Sequence, residues 1–280
     1  MFNTNHKLAW LAVCLMLAAC GSAPEKKNAA SVEATKQSER GTAAFVQGDY
    51  AGAVHAYGQA LNMNQSVENA AGIAIARINL ARAWRELSRP DRAHEQLDAL
   101  FAVPVLPYPT MSLSVAATLQ SQLYLESNEP QPAVKWLERG EALCQKKCPA
   151  AASMLLLRAQ LAMRDQNFSD AGKLVEEAVR LLDTPGQAIE LANALRLSGE
   201  IFFAGHDDAN AASKFEQALA LDQKLGLPAK IRLDLLRLAE TAGHAGRTAD
   251  AQNFAARAKA VNGATGDAQG VPVRVVPPAR

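Results

Sequence analysis

Six alanines recur down the chain at a nearly fixed step: Ala53, Ala93, Ala133, Ala171, Ala211 and Ala251, separated by 40, 40, 38, 40 and 40 residues. Twelve residues before each stands a second small residue, in order Gly41, Ala81, Ser121, Ala159, Gly199 and Ala239. Alanine supplies 56 of the 280 residues, so one column of matches carries little weight. A second column in the same register, admitting only Gly, Ala or Ser, makes the pattern a repeat. Two helices approach to about 8 Å only where facing positions carry small side chains, so the paired columns mark the crossing of a helical hairpin.

Further columns agree with that reading. Four residues after each alanine come Tyr57, Leu97, Leu137, Val175, Phe215 and Ala255, and seven after it Ala60, Leu100, Gly140, Ala178, Ala218 and Ala258. These offsets trace one helical face. Three residues after the first small column stand Ala44, Trp84, Tyr124, Ala162, Phe202 and Ala242, where rings fill the space that small neighbours leave. Short polar turns separate the two helices, among them Gln47-Gly48-Asp49, Ser127-Asn128-Glu129 and Gly205-His206-Asp207. The expected fold is all-α, a solenoid of about six helix-turn-helix repeats over residues 35–262.

The two small columns, the aromatic between them and the turn Gly48-Asp49-Tyr50 with Ala53, Tyr57 and Ala60-Leu61 resemble the tetratricopeptide (TPR) family. That family's usual repeat is about 34 residues, whereas a step of 40 is nearer the HEAT or armadillo range, so another α-solenoid stays open. The surplus is assigned to longer helices and to connections between hairpins, such as Leu219 to Pro228. Pro104, Pro107 and Pro109 predict a bend or loosened stacking point between repeats two and three; the repeat phase continues across them, which argues against two separate domains.

The ends carry an address. Residues 1–19 have a polar start with Lys7, an apolar run from Leu8 to Leu17 and small residues at the close, the pattern of a secretion signal. Leu17-Ala18-Ala19-Cys20 resembles the bacterial lipoprotein signal, which implies cleavage before Cys20 and acylation of that cysteine; Gly21 after it implies shipment to the outer membrane. Residues 20–34 are read as the lipidated cysteine and a flexible linker, and residues 263–280, rich in Gly and Pro, as a disordered tail. The expected place is the periplasmic face of the outer membrane, lipid-anchored.

Without Lys7 the mature chain holds 28 basic residues against 28 acidic, so net charge gives no reason to expect nucleic acid or anionic lipid as a partner. Cys144 and Cys148 form an isolated pair. In an oxidising envelope they are expected to be disulfide-bonded, since four residues along a helix end place the α-carbons about 6 Å apart. No histidine neighbours them, and the spacing is not that of a thioredoxin-type motif.

No constellation of nucleophile, base or metal ligand is recognisable in the sequence, so no catalytic residues, metal ligands or cofactors are assigned. A stacked helical array does supply a concave surface lined by the first helix of each hairpin. The family resemblance places Phe45, Arg82, Arg85, Gln122, Leu125, Gln160, Met163, Arg196, Glu200 and Phe203 there, a mixture suited to an extended or helical peptide. The expected function is a membrane-anchored scaffold for protein partners in envelope assembly. Two alternatives stand beside it: a glycan- or peptidoglycan-binding module, and a self-associating structural lipoprotein.

Overall fold

The computed structural model describes residues 28–102, 106–144 and 148–264. Among them are twelve helices and no strand: α1 (Ala29–Val46), α2 (Tyr50–Ser66), α3 (Ala70–Glu86), α4 (Pro90–Asp98), α5 (Thr110–Glu126), α6 (Pro130–Leu143), α7 (Ala151–Arg164), α8 (Phe168–Leu182), α9 (Ala188–Ala204), α10 (Asp208–Leu225), α11 (Pro228–His244) and α12 (Thr248–Ala264). They pair as six antiparallel hairpins, α1 with α2 through α11 with α12, in the register of the alanine columns. The extra length of the repeat lies in the helices, eleven of which span 14–18 residues. Leu219–Leu225, expected as connection, is the end of α10.

The two small columns are where the helices of a hairpin touch. Ala53, Ala93, Ala133, Ala171 and Ala211 are fully buried, as are Ala81 and Ala159. Gly41 and Gly199 reveal why the column is small. A β-carbon on Gly41 would stand 2.6 Å from the Tyr57 ring, and one on Gly199 2.5 Å from Phe215. The largest side chains of the second helix therefore meet the smallest residues of the first, while Ala81 and Ser121 stand where the second helix offers Leu97 and Leu137. At Ser121 the hydroxyl donates to the carbonyl of Ala133 at 2.8 Å, so the one polar member of the column is satisfied.

Every hairpin turns in the same way. Gly48, Ser88, Asn128, Gln166, His206 and Gly246 all adopt left-handed backbone, with φ of +81°, +57°, +64°, +58°, +61° and +73°. The following amide reaches back to the helix: Asp49 N–H donates to Ala44 C=O, Arg89 to Trp84, Glu129 to Tyr124, Asn167 to Ala162, Asp207 to Phe202 and Arg247 to Ala242. This is the Schellman closure, which consumes a carbonyl that a helix end leaves without a partner. Asp49, Asn167 and Asp207 then cap the second helix through their side chains, and Pro90 and Pro130 start it where the capping residue makes no such bond.

Successive first helices pack on one another, α1 on α3, α3 on α5, α5 on α7 and α7 on α9, with no comparable contact between successive second helices among the described residues. The array therefore curves, with the first helices on its inner side. Joints between hairpins differ. α2 lies broadly on α3, α8 on α9 and α10 on α11, whereas α4 meets α5, and α6 meets α7, more sparingly. The first sparing joint is where the prolines predicted loosened stacking, and α4 stops there after nine residues.

Two boundaries shift. Helix α1 begins at Ala29, inside the segment expected to be linker, because the Asn28 side chain accepts from the Ser31 amide at 2.7 Å and Ala34 packs inside. Helix α12 runs two residues past the expected end. The signal sequence, Cys20 and most of the C-terminal tail lie outside the described residues.

Candidate functional site

Most of the residues assigned to the groove stand one or four positions after the small column and keep some exposure. Arg82 is exposed, Arg85 and Gln122 are half-buried, Gln160 is exposed, and Met163, Glu200, Phe203 and Phe45 are half-buried. Phe45 lies edge-on to Tyr50 with ring centroids 5.3 Å apart, and Phe203 edge-on to His244 at 5.6 Å. Gln122 donates to Glu126 at 3.0 Å.

Two assigned residues are not groove surface. Leu125 is 5% exposed and belongs to the core shared with Ala133, Leu137 and Met154. Arg196 is 7% exposed and faces into the body, where its guanidinium donates to Asp234 at 2.5 Å, Asp222 at 2.5 Å and Asn193 at 2.8 Å. Asp222 and Asp234 are themselves 1% and 0% exposed. Burial, opposed by Arg196 and helped by the Asp234 carboxylate, pushes the Asp222 carboxyl up to about 6. The cluster joins α9, α10 and α11. It belongs to the framework of hairpins 5 and 6.

The charge of Glu190, at the start of α9, acts on Arg82 of α3; the charges of Glu86 and Arg85 in α3 act on Lys230, at the start of α11. Arg85 forms an ion pair with Glu86 at 2.5 Å and also feels Glu126. Burial raises the Glu200 carboxyl against the pull of Arg237, which contacts it at 2.6 Å. Sequence reasoning missed Glu86, Glu126, Glu190 and Lys230. A signal existed: Glu86 and Glu126 occupy one repeat column, and Glu190 and Lys230 another, each pair 40 residues apart.

Cys144 and Cys148 are disulfide-bonded, with α-carbons 5.3 Å apart, at the passage from α6 to α7. Beside them Arg158 of α7 makes a two-pronged ion pair with Glu141 of α6 at 2.6 and 2.5 Å. Among the described residues no three His, Cys, Asp or Glu side chains gather as a metal site, and no helix is long and apolar enough to cross a membrane.

Neither a family profile nor a curated protein sequence matches the chain. Solved structures do. A signal-transduction ATPase with a tetratricopeptide repeat sensor from Pyrococcus horikoshii aligns over 93% of this chain and 41% of its own, at 14% identity and a TM-score of 0.63. The fold is that of a tetratricopeptide-like solenoid. Two further neighbours match along almost their whole length: the apo form of RapI, at 13% identity, TM-score 0.60 and 91% and 92% coverage, and PilW, a widely conserved type IV pilus biogenesis factor, at 13% identity, TM-score 0.55 and 81% and 92% coverage.

Proposed function

We propose that this chain is a non-catalytic scaffold that docks protein partners on the inner face of its solenoid and is held at the periplasmic face of the outer membrane by a lipidated Cys20. The carrying observation is the inner face itself. Four of the six first helices present half-exposed Phe45, Met163 and Phe203 beside exposed Arg82 and Gln160, which is the mixture of apolar anchors and polar contacts that peptide grooves use. The lipoprotein-like Cys20 supports the anchor, and the likeness to PilW makes pilus assembly one envelope process to examine first.

The test is crosslinking of the full-length protein in living cells, followed by identification of what is captured. One dominant envelope protein, lost when Arg82, Arg85 and Phe203 are replaced together, supports the reading; capture indifferent to those replacements refutes docking on the inner face. Self-crosslinks alone, or peptidoglycan fragments alone, would instead establish self-association or glycan binding. For the anchor, Cys20→Ser should move the protein from the membrane to the soluble fraction, and an unchanged distribution overturns lipidation.

A further inference from the structure

The first helix of every hairpin starts at one edge of the array and the second helix ends there, so the connections between hairpins form one rim and the hairpin turns the opposite one. The two rims differ in chemistry. Among the described residues eight large apolar side chains are exposed, and five of them sit within four residues of a helix end on the connection rim: Val32, Met111 and Ile189 at starts, Leu181 and Leu225 at ends. Val46 alone of the eight sits on the turn rim. That rim instead carries an acid in or beside every turn: Asp49, Asp91, Glu129, Asp165, Asp207 and Asp250. Leu181, Ile189 and Leu225 belong to consecutive packed helices, α8 on α9 and α9 on α10. The charges beside them in sequence balance, Arg180 and Lys224 against Asp183 and Glu190, and Gly226-Leu227-Pro228 carries none.

We propose that this stretch of the connection rim rests on a phospholipid bilayer, with Leu181, Ile189 and Leu225 inserted at the boundary of headgroups and acyl chains. The inference rests on the lipidated Cys20 of the proposed function and adds the orientation of the solenoid on its membrane. Helix α1 begins at Ala29 on this same rim, nine residue steps after Cys20, which reach at most about 30 Å when fully extended. The anchor thus brings the connection rim to the bilayer. Apolar side chains exposed singly are ordinary on a protein surface; these gather on the rim that the anchor brings to lipid. Anionic lipid repels the acids of the turn rim, which favours the same orientation. The contact is shallow, in keeping with the lack, among the described residues, of a helix able to cross a membrane. With its charges balanced, the patch is held by apolar burial rather than by attraction to headgroups.

The test uses the full-length lipidated protein reconstituted in vesicles of phosphatidylethanolamine and phosphatidylglycerol. An environment-sensitive fluorophore is placed on Ile189→Cys, on Leu225→Cys or, as control, on Val46→Cys; Cys144 and Cys148 are bonded to each other, so the added thiol takes the label. Nitroxides on the acyl chains should quench the labels at 189 and 225 about twofold or more and leave the label at 46 unquenched. Adding Leu181→Ser and Ile189→Ser to the chain labelled at 225 should at least halve that quenching without changing the melting temperature, because these exposed side chains contribute burial only against lipid. Raised salt should leave the quenching as it was. Equal quenching at all three positions, quenching at none, or quenching lost in salt overturns the inference, while flotation of the protein with the vesicles shows that the anchor stands. A protein that does not float refutes the anchor, and the orientation falls with it. Labels at 189 and 225 that respond to protein concentration without lipid assign the patch to contact between copies and overturn the inference as well.

Discussion

The fit of Gly199 against Phe215 can be broken and remade. A β-carbon at residue 199 would stand 2.5, 2.7 and 2.9 Å from three ring carbons of Phe215. The ring is 1% exposed and packed among Phe202, Leu235 and Leu238, so it has nowhere to retreat. Overpacking of this kind costs about 1–3 kcal/mol, and alanine's better helix propensity returns up to about 1 kcal/mol. Gly199→Ala should therefore destabilise by about 1–2 kcal/mol. Phe215→Leu opens a void beside the glycine and should cost about 2 kcal/mol. Together the two changes recreate the alanine-against-leucine arrangement of Ala81 and Leu97, so the double variant should be no less stable than Phe215→Leu alone. The coupling energy should be about 1–2 kcal/mol in favour of the pair.

Native-state hydrogen exchange of the α9 and α10 amides is the suitable readout, because a repeat array need not unfold in one step. Gly58 and Gly172 supply the control. Both lie within helices, and an added β-carbon would touch nothing within 4 Å, so alanine there should stabilise by about 0.5–1 kcal/mol. If Gly199→Ala stabilises as the controls do, or if the double variant is simply additive, the packing account of the small-residue column is wrong.

Three further outcomes follow from charges and cross-links. Asp222 has its folded pKa raised to about 6, so its protonation contributes stability that is fully present below about pH 4 and lost as pH rises through 6. Asp222→Asn should flatten that part of the thermal-stability profile and raise the melting temperature at pH 7.5; an unchanged profile between pH 4.5 and 7.5 would sink the assignment. Arg196→Met strands two buried carboxylates and should cost about 3–5 kcal/mol, whereas Arg158→Gln, at a solvent-reached pair, should cost no more than about 1 kcal/mol, both read by urea denaturation. Reducing the Cys144–Cys148 bond should lower stability by about 2 kcal/mol or less, since the closed loop is small; labelling of both thiols in unreduced protein would disprove the bond.

How much could be read in advance follows from the range of the interactions. Small-residue columns record contacts inside one hairpin, so repeat number, hairpin register and the positions of Ala53 to Ala211 were legible. The left-handed turn position was only half visible: Gly48, Asn128 and Gly246 advertise it, but Ser88, Gln166 and His206 do not, because the closing hydrogen bonds use backbone groups that any residue carries. Arg196 was misplaced for a different reason. Its position in the repeat is that of an inner-face residue, but its carboxylate partners sit 26 and 38 residues away, and only the fold reveals that they are buried with it.

The curvature of the array need not be fixed. The two sparing joints flank hairpin 3, and polar links help to hold them: Gln120 of α5, fully buried, contacts His94 and donates to Asp98 of α4 at 2.6 Å, while Arg158, Glu141 and the disulfide span α6 and α7. Hairpins 1–2 and 4–6 are each joined by broader helix contact, at α2 on α3, α8 on α9 and α10 on α11. Hairpin 3 is thus placed as a hinge between two blocks joined by broader helix contact. Among α3, α5 and α9, the amides of α5 should exchange hydrogen fastest in the free protein. Exchange in α5 as slow as in α3 and α9 would show the solenoid to be one stiff body.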